Sequence, residues 1–232
     1  EVMEMLSGVR DIQRLMGRIV AKSAGPKDLV SLKTSLQALP HIIARMSGVN
    51  SNILKEVLTK LDGLEDVADL IEKSIVDEPP MKIKDGEFIK KGYNETLDTL
   101  KNALTNSKEW LAKMEAEERE KTGINNLKIK YTNASGYFIE VSKGKLSNVP
   151  PHFIMRRVLV NGDRYTTERL QSLEMELNES STKILELERD LFIEVRTSIQ
   201  QYISYLLQIA DEISNTDVIS CFAFAAIKHN WV

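Results

Sequence analysis

The chain has 232 residues and a mass of 26.3 kDa, with 42% hydrophobic and 28% charged residues, a composition typical of a globular protein of one large or two small domains. Its net charge of −3 does not by itself indicate nucleic-acid binding, and no apolar run reaches the roughly 18 residues that would predict a membrane span. One cysteine and three histidines exclude an internal disulfide and a multi-cysteine zinc site, so we expect a reduced compartment and no metal.

Residues 1–74 have the pattern of short helices separated by helix-breaking residues. The predicted breaks are Gly25-Pro26, Leu39-Pro40, Ser47-Gly48 and Asn50-Ser51. Between the first two breaks, leucines recur at helical spacing and predict one buried face, formed by Leu29, Leu32, Leu36 and Leu39. Further along, Asp85-Gly86 lies between short apolar flanks and predicts a tight turn in a small hairpin.

A longer helix is predicted from about Asn94 to Lys121. Its apolar residues follow helical spacing, and Gly123 is well placed to end it in the left-handed conformation. The period then changes from 3.6 to 2, which indicates strands.

Two strands joined by a turn are predicted over residues 127–141, and a third over 156–160. The turn is Asn133-Ala134-Ser135-Gly136. Side chains alternate along a strand, so Lys128 and Lys130 share one face while Leu127, Ile129 and Tyr131 share the other. The sequence therefore predicts a small sheet with one packed face and one basic face, in which Tyr131 and Tyr137 pack in the core.

From Asp163 onwards the chain contains neither glycine nor proline, which permits a single very long helix from Thr167 to about Ser214. Such a helix would extend about 70 Å. We expect it to return antiparallel to the helix of residues 94–121. Cys221 lies in an apolar stretch of this region and is expected to be buried. The predicted fold is mainly α with a small β insert: a helical lever core with a long antiparallel helix pair that carries the short strands.

Positive charge is concentrated in residues 125–168. This segment has seven cations and three anions, a net +4, which leaves −7 for the rest of a chain whose total is −3. Such a patch is typical of a phosphate-binding surface, although a solvated hairpin also collects lysines. The candidate phosphate contacts are Lys128, Lys130, Lys143, Lys145, Arg156, Arg157 and Arg164, with Ser135, Ser142 and Asn161 as neutral donors. Neutralising three to five phosphates predicts a salt slope of about −3 to −4.5.

The chain lacks the phosphate loop, the dinucleotide-binding glycines, the nucleophile-elbow serine and the H-E-x-x-H zinc motif. We therefore predict no catalytic residues. From the residues alone, two functions remain open: binding of nucleic acid by the basic insert, or protein interaction by a structural coiled-coil module.

Several motifs resemble the MutS DNA mismatch-repair family. They occur in the family's order and are Asp77-Glu78-Pro79-Pro80, Asp85-Gly86, Gly92-Tyr93-Asn94, residues 118–124, Gly136-Tyr137-Phe138-Ile139-Glu140-Val141, Arg156-Arg157 and Arg164-Tyr165. The resemblance implies a core, or lever, domain over residues 1–124 and 183–232, interrupted by a DNA-gripping clamp domain over residues 125–182.

The resemblance also implies what surrounds this segment. The chain begins with Glu1 and has no signal-peptide pattern, so we expect an excised piece of a longer protein, without cofactors of its own. The family implies an ATPase domain with ATP and Mg²⁺ elsewhere, double-stranded DNA as the ligand, a dimer, and a possible MutL-like partner. The location would be cytoplasmic if the source is bacterial and nuclear if eukaryotic. A family relative that handles recombination intermediates is an open alternative.

Overall fold

The computed structural model describes residues 2–48, 51–61 and 64–231, without the side chains of residues 53, 107 and 108. They form eight α-helices and one four-stranded antiparallel sheet, which confirms the prediction of a mainly α fold with a small β insert. The chain divides into two compact units. The helical unit comprises Glu1–Tyr93 and Leu187–Val232, and the sheet unit comprises Asn94–Glu186. None of the described helices combines the length and hydropathy needed to cross a lipid bilayer.

The helical unit opens with five helices and closes with two. The helices are α1 (Val2–Leu6), α2 (Ile12–Val20), α3 (Pro26–Met46), α4 (Asn52–Lys60), α5 (Glu65–Ser74), the second part of α7 (Glu168–Gln200), and α8 (Ile203–His229). Leu29, Leu32, Leu36 and Leu39 are buried on one face of α3, as their spacing predicts. Phe88 and Phe192 are also buried in this unit and meet edge to face with their ring centroids 5.7 Å apart.

The breaks around α3 are only partly those predicted. Gly25 precedes α3 and Ser47 ends it, as expected. Pro40 does not end a helix, because α3 continues through it to Met46. An interior proline costs a helix about 3 kcal/mol, and burial of Leu36, Leu39, Ile42 and Met46 around it offsets that cost. Asn50 lies outside the described residues.

The predicted hairpin at Asp85-Gly86 is wrong in its pairing. Residues Ile83–Asp85 form a 3₁₀ turn, and the only backbone bridge among the described residues here joins Ile75 to Ile89. Gly86 has a φ of 69°, so the predicted tight turn is present. The residue that pairs with Ile89 is Ile75, at the end of α5, and not a residue directly before the turn.

The single long helix is also wrong, because it is interrupted between α7 and α8. The amide groups of Gln201 and Tyr202 bond to carbonyls three residues back, at Ser198 and Ile199, rather than four. No glycine or proline marks this change, so composition could not show it. Cys221 in α8 is exposed, contrary to the prediction that its apolar surroundings would bury it.

The sheet unit contains α6 (Glu95–Thr122), four strands and the first part of α7. The strands are β1 (Lys128–Thr132), β2 (Gly136–Ser142), β3 (Ile154–Val158) and β4 (Gly162–Thr166), in the spatial order β1-β2-β4-β3. Asn94 caps α6 by accepting from the Leu97 amide, and Gly123 ends it with a φ of 66°, as predicted. The β1–β2 hairpin is confirmed, and β4 is a strand that the sequence pattern did not reveal.

Candidate nucleic-acid interface

One face of the sheet is apolar and packs against the ends of two helices. Its strand residues include Ile129, Tyr137, Ile139, Val141 and Tyr165, and the helices contribute Leu111 and Met114 from α6 with Leu170 and Leu173 from α7. The alternation of β2 places its odd-numbered residues on this face. Burial of this face therefore fixes which residues of every strand point the other way.

Side chains of α6 and α7 hold the β1–β2 hairpin in place. Glu115 accepts from the Ile129 amide at 2.7 Å, and Arg119 Nε donates to the Leu127 carbonyl at 2.7 Å. Glu174 accepts from the Tyr137 amide at 3.1 Å, next to Gly136, whose φ of 64° closes the turn. Charged side chains thus satisfy backbone donors and acceptors of the hairpin and of the residue before it, which would otherwise lack a partner.

The opposite face carries the cations of three strands. Backbone register places Lys128 across from Glu140, Glu140 across from Arg164, and Arg164 across from Arg157. Residues that are directly opposite share a face, so these four side chains form one row across the sheet. Lys130 lies beside the row, opposite Phe138. We call Lys128, Lys130, Arg157 and Arg164 the cationic face.

The members of the cationic face differ in their partners. Lys130 Nζ lies 2.7 Å from Glu140 Oε1, and Arg164 Nε lies 4.0 Å from Glu140 Oε2. Lys128 and Arg157 are exposed and make no ion pair within residues 2–48, 51–61 and 64–231. Two cations of the face are therefore free to meet an anion, and two already share a carboxylate.

Arg164 is positioned from below by an aromatic ring. Its guanidinium carbon lies 4.0 Å from the centroid of Phe138, which is itself buried. The Nε atom of Arg164 is buried without a hydrogen-bond partner in the described part of the chain. The Arg164 side chain is 21% exposed, so an oxygen-bearing anion at the surface can reach the part of the guanidinium that is not buried.

The remaining predicted contacts lie off the row. Lys143 Nζ forms an ion pair of 2.7 Å with Asp163, whose carboxylate is almost fully buried. Lys145 is exposed in the 3₁₀ segment Lys143–Asn148, where Leu146 packs towards the apolar face. Lys143 therefore compensates the charge of a buried carboxylate. Its contact with phosphate stays a prediction.

Arg156 and the three neutral donors lie at the margins of the sheet. Arg156 is exposed at a bulge in β3, between the paired residues Met155 and Arg157. Ser135 lies in the β1–β2 turn, Ser142 accepts from Asn126 Nδ2 at 3.3 Å, and Asn161 is exposed in the β3–β4 turn. The structure therefore brings together the four cations of the cationic face, and strand alternation places Ser142, at the end of β2, on the same side of the sheet.

The tyrosines follow the core prediction only in part. Tyr137 packs against the core, but Tyr131 is 52% exposed and contacts Tyr137 with ring centroids 4.9 Å apart and ring planes tilted by 54°. The prediction for Tyr131 is wrong because it lies near the turn, at the end of an edge strand. Burial raises the pKa of Tyr137 and of Tyr165, and the charges of Glu174 and Asp163 raise them further, so both phenols stay neutral.

Sequence reasoning overlooked the central position of Glu140 and the ring beneath Arg164. The signal was available in the hairpin: with Ser135-Gly136 in the turn, the register places Phe138 opposite Lys130 and Glu140 opposite Lys128. The place of Arg164 in the row required β4, which the pattern did not reveal. Among the described residues, no group of three or more histidine, cysteine, aspartate or glutamate side chains could hold a metal ion.

Comparison with known proteins gives one consistent result. Residues 92–183 match a family model described as MutS family domain IV. Over 232 aligned residues the chain is 43% identical to the DNA mismatch repair protein MutS of Caldanaerobacter subterraneus subsp. tengcongensis, 39% to that of Lachnoclostridium phytofermentans and 42% to that of Caldicellulosiruptor bescii. These alignments cover 100% of the chain and 27%, 25% and 27% of the relatives. The chain thus spans about a quarter of the length of these relatives.

Proposed function

The chain belongs to the MutS family, and we propose that it binds duplex DNA through the phosphate backbone without reading base sequence. The observation that carries this proposal is the row of cations that the sheet register aligns from β1 to β3. Neighbouring strands lie about 4.8 Å apart, so the row extends about 14 Å. Each DNA strand carries one charge per roughly 3.4 Å of helix axis, so the row is long enough to meet more than one phosphate.

Backbone recognition is favoured over base recognition by the kind of groups on this face. Lysine and arginine side chains on a sheet surface present charge to phosphates, and such contacts position a protein without carrying sequence information. The apolar face supports this arrangement by fixing the sheet on α6 and α7, so that the cations share one plane.

The rest of the proposed function extends beyond this chain. We infer that the long helices act as a lever between the clamp and an ATPase region, which would bind ATP and Mg²⁺ outside residues 1–232. A dimer and a MutL-like partner belong to the same proposal. Because the relatives quoted are bacterial, we place the protein in the cytoplasm as part of this proposal.

Binding to a labelled duplex tests the central claim. Fluorescence anisotropy of a short, fully matched duplex should report binding that weakens linearly in log affinity against log salt, and a mismatched duplex should bind equally well. The coiled-coil alternative predicts no salt-dependent signal. Absence of binding at about 25 mM salt, where ionic contacts are strongest, would overturn the proposal.

A further inference from the structure

Glu140 is an anion in the middle of a face that is proposed to bind an anion. Register places it between Lys128 on one side and Arg164 on the other. Its side chain is 33% exposed, so it reaches the surface that the cations share. Its charge is opposite to that of every other titratable group on the face, and no packing requirement of the apolar core calls for it, because it points away from that core.

The contacts of Glu140 resemble those that a phosphate would make. One carboxylate oxygen lies 2.7 Å from Lys130 Nζ and the other lies 4.0 Å from Arg164 Nε. The longer distance is too great for a hydrogen bond, and the Arg164 Nε atom has no acceptor in the described part of the chain. Glu140 thus holds one cation firmly and leaves the other incompletely satisfied.

We propose that Glu140 competes with DNA phosphate for Lys130 and Arg164 and so limits the affinity of the cationic face. The inference rests on the proposed function. Docking of a duplex exchanges the carboxylate for phosphate oxygens at these two cations, and the displaced carboxylate remains beside the phosphates and repels them. Lys128 and Arg157, which have no such competitor, make the first contacts. The cationic face therefore binds the DNA backbone less tightly than it would without Glu140.

The substitution Glu140→Gln tests this proposal while keeping the size of the side chain. The variant should bind a fully matched, fluorescein-labelled duplex about three- to tenfold more tightly at low salt, and its salt slope should steepen by up to about 0.9, the value for one more phosphate neutralised. The matched control is Glu179→Gln on α7, which changes net charge equally at an exposed position paired with Lys183. The control should leave both affinity and slope near their wild-type values.

A second comparison removes Lys130, the cation that forms an ion pair with Glu140. Part of the gain expected from Glu140→Gln comes from freeing Lys130 for phosphate, and this part is lost when Lys130 is absent. Adding Glu140→Gln to Lys130→Gln should then restore less affinity than Glu140→Gln gains alone. Circular dichroism checks that each variant is folded, and Glu140→Thr replaces a misfolded Glu140→Gln because threonine suits a strand.

The possible failures are distinguishable. If the wild-type chain shows no salt-dependent binding, the proposed function is wrong. If it binds as proposed but folded Glu140→Gln binds no more tightly than Glu179→Gln, or if Glu140→Gln gains as much affinity in the Lys130→Gln variant as in the wild type, the inference about Glu140 alone is wrong.

Discussion

Removing Lys128, Lys130 and Arg157 together should abolish most of the ionic attraction of the cationic face. With one carboxylate among four cations, the wild-type face has a net charge of about +3. At roughly 0.9 per phosphate, this predicts a salt slope of about −2.7, shallower than the −3 to −4.5 predicted from the sequence alone. Wild-type affinity should therefore fall roughly 40-fold between about 50 and 200 mM salt.

In the triple alanine variant only Arg164 remains, and Glu140 opposes it. The slope contributed by this face should approach zero. If the plots of log affinity against log salt for the wild type and the variant meet near 1 M salt, the variant should bind on the order of 10³-fold more weakly at about 50 mM salt. Matched and mismatched duplexes should lose affinity alike, because phosphates carry no sequence information.

Anisotropy titrations at several salt concentrations measure both quantities. The control removes an equal charge from the helical unit, at the exposed residues Lys27, Lys82 and Lys91. It should change the slope little. The reasoning is refuted if the triple variant keeps the wild-type slope, if the control loses as much affinity, or if only mismatched duplexes are affected.

Three further outcomes concern stability. Ile139→Ala opens a cavity in the fully buried apolar face and should cost about 2–5 kcal/mol in urea unfolding, whereas a loss under about 0.5 kcal/mol would show that this face is not a packed core. Gly162→Ala places a Cβ 2.6 Å from the Val141 carbonyl oxygen, so the β2–β4 pairing must move and the unfolding midpoint should fall; an unchanged midpoint contradicts this geometry. Hydrogen bonds from Lys33 and Lys90 lower the pKa of Glu72, so their stabilisation is present above the ordinary carboxyl pKa of about 4.3 and lost as pH falls through the lowered value. Thermal unfolding from about pH 6 to pH 2 should show this loss, and Lys33→Met should make it smaller.

The sheet and the helix before it were largely predictable because local signals agreed. The change of period after Gly123 marked β1 and β2, and Gly136 supplied the left-handed residue that their turn requires. Asn94 and Gly123 fixed the ends of α6. Each of these residues is favoured at an element boundary for a local reason, so the boundaries could be predicted from the sequence alone.

The errors arose where tertiary packing decides. α3 continues through Pro40 because the residues around the proline are buried. β4 is short and polar, and it is a strand because β2 and β3 pair with it on both sides. The interruption at Gln201 and Tyr202 involves residues that are acceptable in a helix. For the candidate site, charge density located the basic segment, but the register that aligns Arg164 with Glu140 and Lys128 is a long-range property.

The two outer strands also explain how a small sheet avoids recruiting further polypeptide. Unpaired strand margins can template aggregation and fibril growth. On the β1 side, Glu115 of α6 accepts a hydrogen bond from the Ile129 amide, and Arg119 of α6 donates one to the Leu127 carbonyl. On the β3 side, a backbone irregularity and two adjacent guanidinium groups, Arg156 and Arg157, oppose the stacking of like strands. Resistance to aggregation and the proposed DNA affinity would therefore both depend on Arg157, and exchanging it for an apolar residue should weaken both at once.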